Sequence, residues 1–141
     1  MSGLEFFDSN LLCYTDDGDD PARQRQALDL WQRSRQAGLA VISVQVLQEY
    51  YAVVTRKLGV DPAIAIEKLR LFRRAQVIVP DAGDVIEAAR LGVEHRLSFW
   101  DAMIITAALK ADCAFLYSED LQHERRFGSL EIRNPFVDLP G

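Results

Sequence analysis

Short continuous apolar runs alternate along this chain with longer stretches in which apolar residues recur every three or four positions. The runs LEFF (4–7) and LAVIS (39–43) predict buried strands, QVIVP (76–80) and CAFLYSED (113–120) a third and a fourth strand, and LEIRNP (130–135) a short fifth. The periodic stretches predict helices. PARQRQALDLWQRSRQAG (21–38) carries Leu28 and Trp31 on its inner face, and VQVLQEYYAVVTRKLG (44–59) carries Val46, Leu47, Tyr50, Val53 and Val54 at helical spacing. Further helices run from Pro62 through Ile66, Leu69 and Phe72, over DVIEAARLGVEH (84–95), and over LSFWDAMIITAAL (97–109). Asp20-Pro21, Ser43 and Asp61-Pro62 supply starts, while Gly38 and Gly59 supply stops. Strands alternating with helices predict an α/β fold with a central, mainly parallel sheet of four to five strands, flanked by helices.

LSFWDAMIITAAL is the most apolar of these helices, yet it contains one carboxylate, Asp101. An ionised carboxylate buried without a partner costs several kcal/mol, so a cation or a hydrogen-bond donor is expected beside it. Ligands in parallel sheets gather at the carboxyl ends of strands, and the acids fall there. Asp8 closes the first strand, Glu119 and Asp120 close the fourth, and Glu49 and Asp101 lie in the early turns of helices.

Asp8, Asp101 and Asp120 each also have a purely structural use. Asp8 can cap the turn that follows it, and Asp120 can do the same in its own loop. Ser98 and Asp101 have the spacing of a capping box, in which a carboxylate at the third helical position is favoured by free backbone N–H groups. Glu49 sits beside the apolar stripe of its helix, where an exposed glutamate would not. Four acids near one point repel strongly unless a cation neutralises them, and oxygen donors without His or Cys suit Mg2+ or Mn2+ better than zinc.

Composition narrows the classes. The 141 residues, 49% hydrophobic and 26% charged, fit one globular domain spanning 1–141, without repeats or low-complexity tracts. A net charge of −5 disfavours nonspecific nucleic-acid binding, although Arg23/Arg25, Arg33/Arg35, Arg73/Arg74 and Arg125/Arg126 allow local positive patches. No apolar run approaches the length of a membrane span, and the N-terminus turns acidic too early for a signal peptide, so a cytoplasmic protein is expected. Cys13 and Cys113 read as buried, unreactive thiols.

FFDSNLLCY, LQEYYAVVTRKL, LSFWDAMIITAAL and LYSEDLQHERRFGSLEIRNPF resemble, in order and context, the acidic motifs of PIN-domain ribonucleases, in particular the VapC-like toxins of bacterial toxin-antitoxin modules. The resemblance runs over nearly the whole chain and implies a PIN-like three-layer sandwich. It maps the acid quartet onto Asp8, Glu49, Asp101 and Asp120, with Asn10 and Ser118 orienting ligands by hydrogen bonding and Glu119 either pointing away or sharing the metal. It implies Mg2+- or Mn2+-dependent endonucleolytic cleavage of RNA by in-line displacement. Arg125 and Arg126 become candidates for RNA phosphates, with a solvated helix face as the alternative. It further implies a homodimer and a cognate antitoxin, for which the helices at 44–58 and 62–75 offer either a groove or ordinary core.

Two other enzyme classes fit less well. A haloacid-dehalogenase-like phosphatase needs a second aspartate two residues after the first, where this chain has Asn10. A receiver domain places its acceptor aspartate at the end of a middle strand with a lysine late in the sheet, whereas QVIVP ends in Pro80 and Lys110 lies in a predicted helix. The non-enzymatic alternative is a PIN-like module that binds RNA or a protein without cutting.

Overall fold

Phe6 and Phe7 are wholly buried, which places the first apolar run at the centre of the sheet rather than at its edge. The computed structural model describes residues 3–139. The elements follow in the order β1 (Glu5–Phe7), α1 (Ser9–Tyr14), α2 (Pro21–Gln36), β2 (Ala40–Ser43), α3 (Val44–Arg56) and α4 (Pro62–Phe72). Then come β3 (Gln76–Ile78), α5 (Ala82–His95), α6 (Phe99–Lys110), β4 (Phe115–Tyr117), β5 (Arg126–Phe127) and β6 (Leu130–Arg133). The sheet has the order β3-β2-β1-β4-β6-β5 and is parallel except for β5, which pairs antiparallel with β6. Its registers, Phe6 opposite Val41 and Phe7 opposite Tyr117, bring Asp8 next to Ser118 at the carboxyl ends of β1 and β4.

Aromatic packing fixes α3 over the strands. Phe7 meets Trp31 edge-on at 5.0 Å, Trp31 meets Phe72 at 5.4 Å, and Phe72 meets Tyr50 at 4.9 Å. This chain of rings links β1, α2, α4 and α3, and Tyr50 is the neighbour of Glu49. Helix α6 is buried from Ala102 through Ala108, which explains why its sequence shows no polar face. It lies close against α5 because Gly92 has no side chain; a Cβ there would come within 3.2 Å of the Leu97 carbonyl.

The sheet has six strands, not four to five, because the two-residue β5 is too short to show alternation and is defined only by its pairing with β6 across Gly128 (φ +60°). Helix α1 was not anticipated, although Asp8 as N-cap followed by buried Leu11 and Leu12 is its signal. The inner face of α2 is formed by Ala27, Trp31 and Ser34, with Leu28 only half-buried. Ile66 is 40% exposed, so α4 packs through Ala65 and Phe72 instead. Helix α5 starts two residues earlier than read, at a closed capping box between Asp81 and Asp84. Among the described residues, no helix is long and apolar enough to cross a membrane.

Candidate active site

Asp8 leaves the central strand as the N-cap of α1, and the residue is only 5% exposed. One oxygen accepts the Ser9 backbone N–H at 2.7 Å, and the other accepts the Ser118 hydroxyl at 2.8 Å and the Asn10 amide at 3.4 Å. Burial pushes the Asp8 carboxyl up from 3.8 to about 7, against these hydrogen bonds and with help from the negative charges of Glu49 and Asp120. This group therefore sits in a field that a positive charge would relieve.

The other acids arrive from separate parts of the chain. Glu49 on α3 accepts the Ser9 hydroxyl at 3.0 Å on one oxygen and the Gln45 amide at 3.2 Å on the other. Asp120, exposed in the loop after β4, accepts the Asn10 amide at 3.1 Å. Asp101 occupies the first turn of α6, where its backbone N–H donates to the Ser98 hydroxyl at 3.1 Å. The expected capping box is only half present: no return bond runs from the Ser98 N–H to the Asp101 carboxylate, in contrast to the closed box on α5. Among the described residues, nothing donates a hydrogen bond to that carboxylate. Asp8, Glu49, Asp101 and Asp120 line one cavity of about 270 Å³, with Ser9, Gln45 and Ile104 among its other walls.

The PIN domain family model matches residues 6–127. The chain belongs to the PIN domain family. Among solved structures, this PIN domain is similar to Mycobacterium tuberculosis VapC20, a toxin that cleaves the sarcin-ricin loop, at 24% identity over 82% of this chain and 91% of that one, with a TM-score of 0.68. It is also similar to a chain of a toxin-antitoxin complex from Klebsiella pneumoniae (16% identity, 93% and 97% covered, TM-score 0.65). A third is a chain of VapBC2 from Rickettsia felis bound to promoter DNA (16% identity, 93% and 98% covered, TM-score 0.63). No curated protein matches. At these identities the solved structures establish the fold.

The remaining predicted residues fall into two groups in this PIN domain. Asn10 and Ser118 join the acids. Ser118, wholly buried, donates to Asp8 and accepts from the backbone N–H groups of Asp120 and Leu121 at 3.2 and 3.3 Å. Ser118 rather than Asp120 thus caps the turn, which frees the Asp120 carboxylate. Glu119 points away from the acid cavity: it takes the Tyr14 hydroxyl and pairs with Arg23 Nε at 2.7 Å.

Neither Arg125 nor Arg126 lines the acid cavity, and neither lies on a helix. Arg126 sits in β5 and pairs with Glu131 at 2.6 Å, while the Arg125 guanidinium covers the Phe127 ring at 4.8 Å. Cys113 is buried as expected, whereas Cys13 is half-buried; both thiols are pushed up to about 12, mainly by burial, and so stay protonated.

Sequence reasoning missed Ser9 and Gln45. Gln45 is buried and its amide donates both to Glu49 and to the Trp100 carbonyl at 3.1 Å, tying α3 to the first turn of α6. Its position four residues before Glu49, on the same helix face, was the available signal.

The donor set is consistent with a hard divalent cation. Among the described residues, no three His, Cys, Asp or Glu side chains draw together into a ready metal cage; the carboxylates ring a cavity. Hard divalent cations bind through oxygen ligands, and the side chains available here are oxygen donors without His or Cys. A buried Asp8 with a raised pKa and an Asp101 carboxylate lacking donors are the features that such a charge would satisfy.

Proposed function

We propose that this PIN domain, taken as a single domain over residues 1–141, is an endoribonuclease and the toxin of a toxin-antitoxin module. Its Asp8, Glu49, Asp101 and Asp120 would hold Mg2+ or Mn2+. The observation that carries this is the convergence of four carboxylates, from β1, α3, α6 and the loop after β4, on one cavity where Asp8 resists ionisation. The activity of VapC20 and the toxin-antitoxin setting of the other neighbours support the reading. A cytoplasmic location, an RNA substrate, a cognate antitoxin and a homodimer belong to the same proposal.

The chemistry that a bound cation supplies is Lewis acidity at the scissile phosphate and acidification of an attacking water. The chain's own residues arrange the oxygens. Ser118 and the Ser9 N–H fix the two oxygens of Asp8, Ser9 and Gln45 hold Glu49 from both sides, and Asn10 holds Asp120. The Asp101 backbone is anchored by the Ser98 cap in the first turn of α6.

The test is cleavage of a panel of single-stranded and stem-loop RNAs by purified, antitoxin-free protein with Mg2+ or Mn2+. Cutting is expected to stop with EDTA and in Asp101→Asn. Cleavage that survives both controls sinks the metal site, and an uncut panel favours the non-cleaving binding module.

A further inference from the structure

A second cavity, of about 330 Å³, adjoins the acid cavity and shares Ser9, Val53 and Asp120 with it. It is also lined by Lys57, the C-cap of α3, and by Asp17 and Glu119. These charges are not equivalent. Glu119 is neutralised by Arg23 at 2.7 Å, and Asp17 accepts the Asp19 backbone N–H at 3.1 Å within its own turn. Lys57 is exposed and, among the described residues, has no ion pair.

Among the described residues, Lys57 is the one cation that lines this cavity, and three others of the chain are committed elsewhere. Arg23 is held by Asp20 and Glu119, Lys68 by Asp16 at 2.9 Å, and Arg126 by Glu131. An RNA crossing the acid cavity carries a negative charge at every linkage, and the wall it meets next offers one uncommitted ammonium. We infer that Lys57 binds a backbone phosphate of the RNA close to the scissile linkage, so that the second cavity holds the neighbouring nucleotide and sets the strand's register over the acids. The volume fits: about 300 Å³ is the lower end of cavities that enclose a small ligand. This rests on the nuclease reading above, and it assigns to Lys57 a role for which the family resemblance made Arg125 and Arg126 candidates. A compact, mobile ammonium suits a phosphate contact of this kind, which positions the strand without reading its bases.

The experiment measures binding apart from cutting. A fluorescently labelled RNA that the protein cleaves is titrated in Mg2+ against Asp101→Asn and Asp101→Asn/Lys57→Ala over a range of salt concentrations, by anisotropy. Loss of Lys57 is expected to weaken binding on the order of tenfold and to flatten the dependence of log K on log salt by about 0.7, the value for one phosphate on a single strand. In the cutting enzyme, Lys57→Ala is expected to raise KM with kcat within about twofold, and Lys57→Arg to restore KM.

Replacing single linkages of the RNA by uncharged methylphosphonates then locates the contact. One substitution within about two nucleotides of the cut is expected to weaken the Lys57 protein and leave the Lys57→Ala protein unaffected. If the unchanged enzyme cuts RNA while Lys57→Ala leaves affinity and salt slope as they were, the inference is wrong and the nuclease reading stands. RNA neither bound nor cut by the unchanged chain overturns both.

Discussion

The Ser118 hydroxyl donates to Asp8 Oδ2 at 2.8 Å and accepts from the Asp120 and Leu121 backbone N–H groups, so one buried side chain ties the ends of β1 and β4 together. It stabilises the ionised form of Asp8 and shapes the loop that carries Asp120.

Ser118→Ala should therefore act on both. Two backbone N–H groups lose their acceptor and Asp8 loses a donor, a cost of about 1 to 3 kcal/mol in urea denaturation. The pH at which cleavage reaches half its maximum should move upward, because the lost bond favoured the carboxylate. An unchanged midpoint would show that Asp8 does not limit activity.

Asp101→Asn should separate capping from chemistry. The Ser98 hydroxyl meets the backbone N–H of residue 101, which the substitution keeps, so stability should change by less than about 1 kcal/mol while cleavage falls more than about a hundredfold. Ser98→Ala should show the reverse order of effects, losing about 1 kcal/mol of stability with cleavage largely retained. Thermal melts and initial rates on the same preparations distinguish the two.

Stability without divalent cation should depend on pH through Asp8. Below about pH 4 both the folded and the unfolded chain hold this proton. Between there and about 7 the unfolded chain has released it and the folded chain has not, so stability falls as pH rises, then levels off. In EDTA the wild type should lose roughly a few kcal/mol relative to Asp8→Asn across that window, with Mn2+ offsetting the loss at higher pH. A constant difference between the two proteins from pH 4.5 to 8 would contradict this.

Gln45→Ala should weaken the site from outside it. The amide holds Glu49 and the Trp100 carbonyl together, so its loss should cut cleavage roughly tenfold or more and reduce Mn2+ affinity in parallel. Isothermal titration with Mn2+ reads the second effect directly.

Much of this was legible along the chain because local physics writes it there. Apolar runs and helical spacing located β1 to β4, β6 and five of the helices, and the acids at strand ends and first turns pointed to one edge of a parallel sheet. Six-residue α1 and two-residue β5 escaped because elements so short owe their existence to a cap and a pairing partner rather than to a period. For Glu119 and Asp120, adjacent in sequence, patterning could not say which faces the cavity; Arg23 on α2 decided it by taking Glu119.

The sequence by itself determined which residue types were present and on which elements: an all-oxygen set of acids, three of them with a structural use of their own. Only the tertiary structure decided that four of them share a cavity, that Asp101 is left without a donor, and that Lys57 rather than Arg125 or Arg126 lines the adjoining wall. The reason is distance: hydrogen bonding and Coulomb forces act over a few ångströms in space, and here they join residues as far apart in sequence as Asp8 and Ser118.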